Sequence, residues 1–271
     1  MLFGSSDFGK GWEKRKCRCK VNDMILIEKA EFCLCELRKN MYLCKKMKYK
    51  GMDQIRLIVF DFDGTIGDTR RHIVITMQQT LAKLGLEMQS EAACAATIGL
   101  PLAGCFRSLM PQASDSIIDR CVEVYHRLFE RNQKQLTPQA FPRVAHTLEQ
   151  LRQRGYRMTV ATSRGVDSLK DLLTGMDLIH YFDLLLGADS VTKHKPDPEP
   201  VLITLDKMHY DASQTLVVGD MPVDIQMGKG AGCLTCGVTY GNATRRELID
   251  AGADYVIDDF ADLLMTLDTI S

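Results

Sequence analysis

The chain has 271 residues, of which 45% are apolar and only 8 are proline, so it can bury the core of one or two globular domains and is not wholly disordered. Its formal net charge of -1 gives no general reason to expect a nucleic-acid partner, because nucleic-acid binding depends on neutralising many phosphates with Lys and Arg. The features that decide function must therefore lie in local motifs.

The first 50 residues differ in composition from the rest of the chain. They hold 13 Lys/Arg and 6 Asp/Glu, a net charge of +7, which leaves -8 for residues 51–271. Five of the ten cysteines also fall here, namely Cys17, Cys19, Cys33, Cys35 and Cys44. Their spacings match no standard zinc finger. We interpret residues 1–51 as a basic, cysteine-rich and poorly ordered extension that is dispensable for function.

No stretch approaches the roughly 18 to 20 apolar residues that span a bilayer, and the N-terminus lacks the apolar core of a secretory signal. We therefore predict a cytoplasmic protein without a membrane partner. In a reducing compartment the other five cysteines are predicted to be free, buried thiols: Cys94, Cys105, Cys121, Cys233 and Cys236. The last two have the spacing of a zinc or redox pair, but no second pair lies nearby, which favours a structural role.

Short runs of branched apolar residues predict the strands. The run from Ile55 to Phe60 ends in a turn and is expected to be the central strand of a sheet. Five further runs predict strands at Tyr156–Ala161, Leu184–Leu186, Thr215–Val218, Leu234–Val238 and Tyr255–Ile257. Helical patterns separate them, and one such helix is expected to stop at Gly155. This alternation predicts an α/β fold with a parallel sheet covered on both faces and a binding site at the carboxyl ends of its strands.

Residues 69–138 interrupt the alternation. They contain no convincing strand but show helical spacing of apolar residues from Ile73 to Leu84 and from Ile118 to Phe129. An all-helical insertion directly after the first strand is expected to cover the active edge of the sheet as a cap. Within it, Thr97–Pro101 is either a substrate loop or a plain turn between helices, because Gly and Pro break the helical pattern there.

Two acids follow the first predicted strand, in the sequence Asp61-Phe62-Asp63-Gly64-Thr65. Alternation along an extended chain puts the two carboxylates on one side. Clustered carboxylates repel unless a cation compensates, so the pair suggests a hard metal such as Mg2+. The alternative is that both acids are ordinary turn and helix-cap residues.

Three later segments add polar groups at other strand ends or in adjoining loops. Thr162 and Ser163 offer hydroxyls, Lys195 offers a cation in a proline-bounded stretch, and Asp220 ends another strand shortly before Asp224. Each segment alone is also typical of a helix cap, a solvated loop or a turn.

Taken in order, Asp61 to Thr65, then Thr162, Lys195 and Gly219 to Asp224 resemble the four motifs of the haloacid dehalogenase superfamily. The resemblance covers roughly residues 55–271. It implies a Rossmann-like catalytic core of residues 52–68 and 139–271 with a C1-type helical cap of residues 69–138. The segments Gly237–Gly241 and Ala251–Tyr255 look like those of phosphoglycolate phosphatases, with pyrophosphatases as a similar branch.

The resemblance also implies residue roles. Asp61 is the expected nucleophile, which forms an aspartyl phosphate, and Asp63 is the expected acid/base. Mg2+ is expected on the Asp61 and Asp220 carboxylates and the Asp63 main-chain carbonyl, with Asp224 holding neighbouring groups in place. The expected substrate-binding residues are Thr65, Thr162, Ser163, Arg164 and Lys195. Arg164 either meets a substrate carboxylate or second phosphate, or is a solvated residue at a helix start.

The predicted function is Mg2+-dependent hydrolysis of a small, phosphoglycolate-like phosphomonoester by a monomer or weak homodimer. Hydrolysis of pyrophosphate, a phosphosugar mutase, and a binding protein that acts through its basic extension remain alternatives. Mutase relatives tend to carry Glu-Asp where this chain has Gly219-Asp220, which favours the phosphatase.

Overall fold

The computed structural model describes residues 54–133 and 138–270. The expectations for residues 1–51 lie outside the described residues. The strands of the described part are β1 (Leu57–Phe60), β2 (Gly67–Asp68), β3 (Gln139–Ala140), β4 (Arg157–Ala161), β5 (Leu184–Leu186), β6 (Thr215–Gly219), β7 (Leu234–Val238) and β8 (Tyr255–Ile257). The α-helices are α1 (Arg70–Lys83), α2 (Glu91–Ala95), α3 (Leu102–Leu109), α4 (Asp115–Gln133), α5 (Val144–Gln153), α6 (Val166–Gly175), α7 (Glu199–Met208), α8 (Pro222–Gly230), α9 (Arg245–Asp250) and α10 (Asp262–Ile270).

Six strands form one parallel sheet in the order β5-β4-β1-β6-β7-β8. Strand β1 lies between β4 and β6, and Val59 is in register with Thr159 on one side and Val217 on the other. All four residues of β1 are buried, as expected of a strand with both faces covered. The predicted α/β class, the parallel sheet and the central position of the first strand are confirmed.

The two faces of the sheet pack against separate apolar clusters. Ile58 and Phe60 belong to the larger cluster, whereas Leu57 and Val59 belong to a second one with residues of α7 and α8. Alternate residues of a strand point to opposite faces, so β1 contributes to both cores. Among the helices that cover these faces, α5 is followed by Gly155 at φ 85°, a left-handed conformation that favours glycine and ends the helix as predicted.

Four helices, α1 to α4, lie between β2 and β3. The two short strands pair antiparallel, with Gly67 opposite Ala140, so the chain leaves and re-enters the rest of the fold at one point. In the described part of residues 69–138, the structure contains helices and no strand. The role of this insertion as a cap, and the proposed domain boundaries, stay predictions.

The cysteines of the described part are all buried and free: Cys94, Cys105, Cys121, Cys233 and Cys236. Burial raises the pKa of Cys233 and of Cys236 to about 12, and Asp254 adds to the effect on Cys236. Both thiols are therefore protonated at neutral pH and are poor nucleophiles and metal ligands. The structural interpretation of these five cysteines is confirmed.

One buried histidine makes the stability of the insertion pH-dependent. His72 of α1 is 2% exposed and stacks on Phe129 of α4, with ring centroids 4.0 Å apart. Burial lowers the pKa of His72 to about 4, and the charge of Arg164 adds to this effect. An unfolded histidine takes up its proton near pH 6.5, so the unfolded state binds more protons between these two values.

We therefore expect the free energy of unfolding to fall by roughly 1–2 kcal/mol through His72 as the pH drops from 7 to 5. Urea unfolding at both pH values measures this loss, and it should shrink by that amount in His72→Leu. His146, an exposed residue of α5, supplies the control, and His146→Leu should keep the wild-type pH dependence. An equal loss in the wild type and His72→Leu would contradict the assignment.

Candidate active site

Polar side chains from several elements meet at the carboxyl edge of the sheet. Asp61 follows β1, Thr162 follows β4 and Asp220 follows β6, which are three adjacent strands. The carboxyl ends of parallel strands share one edge, and this edge is where α/β folds bind ligands. The structure therefore brings together residues that lie up to 159 positions apart in the chain.

Lys195 links two of the acids. Its Nζ donates to Asp61 Oδ1 at 2.5 Å and to Asp224 Oδ1 at 2.7 Å. All three side chains are at least nine-tenths buried. Asp224 lies in the first turn of α8, and its Oδ2 accepts from the main-chain N–H of Met221. Both oxygens of Asp224 therefore have partners, as expected of a residue that holds its neighbours in place.

Asp220 is fixed from the opposite side. Its Oδ2 accepts from the main-chain N–H of Asn242 at 2.7 Å and from the Asn242 side-chain amide at 2.8 Å. Thr65, predicted to bind substrate, lies against this carboxylate, with its hydroxyl 3.4 Å from Asp220 Oδ1. A Cβ at Gly64 would lie 2.2 Å from Asp220 Oδ2, and one at Gly241 would lie 2.4 Å from it, so both positions require glycine.

The cluster carries more negative than positive charge. Burial raises the pKa of Asp61 well above its usual value; Lys195 opposes this, and the nearby carboxylates of Asp224, Asp220 and Asp63 add to it. Burial also raises the pKa of Asp220 to about 7, again with a contribution from Asp224. For Lys195, burial disfavours the charge, but Asp224 and Asp61 outweigh it and raise its pKa.

This cluster fits a divalent cation. Carboxylate oxygens of Asp61, Asp220 and Asp224 lie within 4.8 Å of one another. Three carboxylates and one ammonium leave a formal charge of -2 in a buried place, which one Mg2+ would neutralise with the oxygen ligands it prefers. In the part of the chain that the structure describes, the buried side-chain oxygen Oδ1 of Asn242 also has no hydrogen-bond partner.

Asp63 is held apart from this cluster by Arg164 and Thr69. The Arg164 guanidinium donates twice, from Nη2 to Asp63 Oδ1 at 2.6 Å and from Nε to Oδ2 at 3.1 Å. The Thr69 hydroxyl donates to the same Oδ1 at 2.6 Å. The Arg164 side chain is only 9% exposed and lies over the ring of Phe129, 4.8 Å from its centroid. The expectation of a solvated Arg164 is wrong, because Asp63 binds it and Phe129 covers it.

A cavity of about 330 Å3 opens in front of these groups. Its wall on the sheet side is formed by Asp61, Asp63, Thr162, Ser163 and Arg164. The opposite wall belongs to the helical insertion and includes Ile98–Leu100. The Ser163 hydroxyl donates to the main-chain oxygen of Gly99 at 2.6 Å, which ties this loop to the sheet. The position of the loop favours the substrate-loop interpretation over a plain turn.

The sequence did not predict that Asn242 would donate to Asp220 or that Thr69 would donate to Asp63. Asn242 lies in the loop after β7, so the strand-end rule could have drawn attention to it. Thr69 precedes α1 and looks like an ordinary helix cap, although its side chain binds Asp63 instead of capping the helix.

Known proteins resemble the chain in sequence over most of its length. The profile of the family described as haloacid dehalogenase-like hydrolase matches residues 58–238. The chain belongs to the haloacid dehalogenase-like hydrolase family. This hydrolase is 37% identical over 213 residues to "Probable phosphatase IndB" of Dickeya dadantii. The matched region covers 77% of the chain and 91% of that protein. It is 31% identical over 215 residues to the phosphoglycolate phosphatase of Aquifex aeolicus, and this match covers 79% of the chain and 97% of that protein.

The fold has solved relatives as well. The crystal structure of "a predicted phosphoglycolate phosphatase" from Haemophilus somnus superimposes with a TM-score of 0.74 at 27% identity, over 80% of the chain and 99% of that protein. Together these similarities identify the hydrolase as a phosphoric monoester hydrolase and confirm the resemblance seen in its motifs. Among the described helices, none has both the length and the apolar character needed to cross a membrane.

Proposed function

We propose that this hydrolase is a Mg2+-dependent phosphatase that cleaves small phosphomonoesters with Asp61 as the nucleophile. The observation that carries the proposal is the position of Asp61, which lines the cavity beside a buried ammonium and two further buried acids. In the first step an Asp61 oxygen bonds to phosphorus while the bond to the alcohol oxygen breaks. In the second, water attacks phosphorus, releases phosphate and regenerates the carboxylate.

Asp63 is suited to move the protons of both steps. Its carboxyl group lines the cavity two residues from Asp61, and Arg164 and Thr69 fix its orientation. It would protonate the leaving alcohol oxygen in the first step and take a proton from the attacking water in the second.

Two further groups would bind the phosphoryl oxygens. Thr162 lines the cavity, where its hydroxyl accepts from the main-chain N–H of Arg164 and can still donate, and the ammonium of Lys195 lies 2.5 Å from the Asp61 carboxylate. A fixed cation beside the nucleophile offsets its repulsion from an anionic substrate. Roles for Thr65 and Ser163 in substrate binding stay predictions, since their hydroxyls already contact Asp220 and Gly99 respectively.

The carboxylates of Asp61, Asp220 and Asp224 would hold Mg2+, with the main-chain carbonyl of Asp63 as a further ligand implied by the family resemblance. Mg2+ supplies positive charge that stabilises the phosphoryl group during transfer. This set differs from the one expected from the sequence by including Asp224, because one of its carboxylate oxygens lies within 4.8 Å of those of Asp61 and Asp220. The helical insertion would act as the cap and exclude water from the cavity.

We expect the purified protein to release phosphate from phosphomonoesters with Mg2+ present and to lose this activity in excess EDTA. The names of the relatives make phosphoglycolate the first ester to test, and pyrophosphate and a hexose phosphate test the two alternatives. Adding Mg2+ in excess of EDTA should restore activity. Metal-independent hydrolysis would contradict the role of Mg2+, and an isomerised hexose phosphate would identify a mutase.

A further inference from the structure

The wall of the cavity that faces the reacting groups is mostly apolar, although the polar side chains of His126 and Glu130 also line it. It is built by the helical insertion, and its side chains include Ile73, Met77, Ile98, Leu100, Leu102 and Phe129. They come from α1, the loop after α2, the start of α3 and the C-terminal part of α4. A phosphoryl group bound at Asp61 would therefore place the alcohol part of the ester against this wall. Burial of apolar groups from the substrate is favourable there.

The charges around the cavity do not favour a second anionic group. Among the described residues, Arg164 is the only Lys or Arg that lines it, and its guanidinium is already bound to Asp63 and Ser168. Four exposed or partly exposed acids also line the cavity, namely Glu130, Asp167, Asp171 and Asp189. A substrate carboxylate would lose hydration here and would meet like charge without a free cation.

We propose that the preferred substrate is a phosphomonoester of an uncharged, largely apolar alcohol, and not one that carries a carboxylate. This inference rests on the proposed phosphatase activity and adds the chemical class of the leaving alcohol. The cavity volume of about 330 Å3 lies near the lower end for small-molecule pockets, so the alcohol is small.

The decisive comparison is between isobutyl phosphate and phosphoglycolate. Both are esters of primary alcohols, and the branched isobutyl group has the same number of heavy atoms and the same branching as the glycolate carboxymethyl group, without its charge. Wild-type protein with Mg2+ should show a kcat/KM at least about tenfold higher for isobutyl phosphate, because an unpaired carboxylate is costly to bury. Both esters are assayed at the same pH, pH 8, and at the same Mg2+ concentration.

A series from methyl to butyl phosphate tests the apolar wall separately. We expect kcat/KM to rise by up to about fourfold for each added methylene that the wall buries. Equal or better hydrolysis of phosphoglycolate, or no gain along the series, overturns the inference and leaves the proposed function standing. Absence of hydrolysis of every ester overturns both.

A variant of the apolar wall should weaken the preference for the uncharged ester. Leu102 is half-buried at the first turn of α3, so Leu102→Arg would add a guanidinium to the wall with little disturbance of the core. It should lower the ratio of isobutyl phosphate to phosphoglycolate kcat/KM at least about tenfold, by pairing with the carboxylate. Ile117→Arg adds the same charge to an exposed site on α4 away from the cavity and should keep the wild-type ratio.

Thermal unfolding of both variants checks that they are folded. An unchanged ratio in folded Leu102→Arg overturns the assignment of this wall to the alcohol. If Leu102→Arg does not fold, Leu102→Gln replaces it. The glutamine should lower the rate gain per methylene along the alkyl series, and an unaltered gain overturns the assignment.

Discussion

Replacing Asp61 with asparagine should reduce phosphate release by roughly 10^4-fold or more, because an amide oxygen is a poor nucleophile and removal of a covalent nucleophile is among the largest single effects in enzymes. The fold should survive, since asparagine has nearly the shape of aspartate and Lys195 keeps its contact with Asp224. Steady-state phosphate release measures the first expectation, and circular dichroism measures the second.

Asp250→Asn provides the matched control for Asp61→Asn. Asp250 is exposed at the end of α9, where it pairs with Arg246, and its loss should leave activity near the wild-type level. Acid quenching with labelled substrate adds a direct test, because wild-type protein should retain a hydroxylamine-sensitive acyl phosphate and Asp61→Asn should not. More than a tenth of wild-type turnover in Asp61→Asn would exclude Asp61 as the nucleophile.

The strands were readable from the sequence because strands of a parallel sheet are buried on both faces and form continuous apolar runs. The predicted bounds of Leu184–Leu186, Leu234–Val238 and Tyr255–Ile257 agree with the structure residue for residue. The two-residue strands β2 and β3 were not predicted, because two residues are too few to show an alternating apolar pattern. Their pairing also depends on the insertion bringing residues 67 and 140 together.

The site was predictable to the extent that its residues follow strands. Asp61, Thr162 and Asp220 meet because the carboxyl ends of adjacent parallel strands share an edge. The partner of Arg164 was not predictable in this way. A guanidinium after a strand can reach solvent, substrate or protein. In the structure it lies against the ring of Phe129 and donates to Asp63 and Ser168. Sequence spacing contains no information about these contacts.

Lys195 is expected to contribute to the stability of the fold as well as to catalysis. Lys195 is the only Lys or Arg with a described ion pair to Asp61 or Asp224, and both pairs are buried. Removing one partner of a buried ion pair leaves uncompensated charge, which costs about 3–5 kcal/mol. We therefore expect Lys195→Met to lose activity in the presence of Mg2+. We also expect its free energy of unfolding in EDTA to be lower than that of the wild type by an amount in this range.

Mg2+ should separate the two effects of Lys195→Met. A cation that binds only the folded state raises its stability by mass action, and the variant site is more negative than the wild-type site. Added Mg2+ should therefore raise the unfolding midpoint more in the variant, while phosphate release stays at least about a hundredfold below wild type because the fixed charge beside the nucleophile is missing.

Lys193→Met is the matched control for Lys195→Met, since Lys193 lies two residues away in the same loop but its side chain is 69% exposed, 3.7 Å from Asp197. A surface pair of this kind contributes little to stability, so Lys193→Met should change neither the unfolding midpoint nor phosphate release appreciably. Similar losses in both variants would point to disruption of the loop. Wild-type stability of Lys195→Met in EDTA would show that the buried carboxylates do not depend on the ammonium for charge compensation.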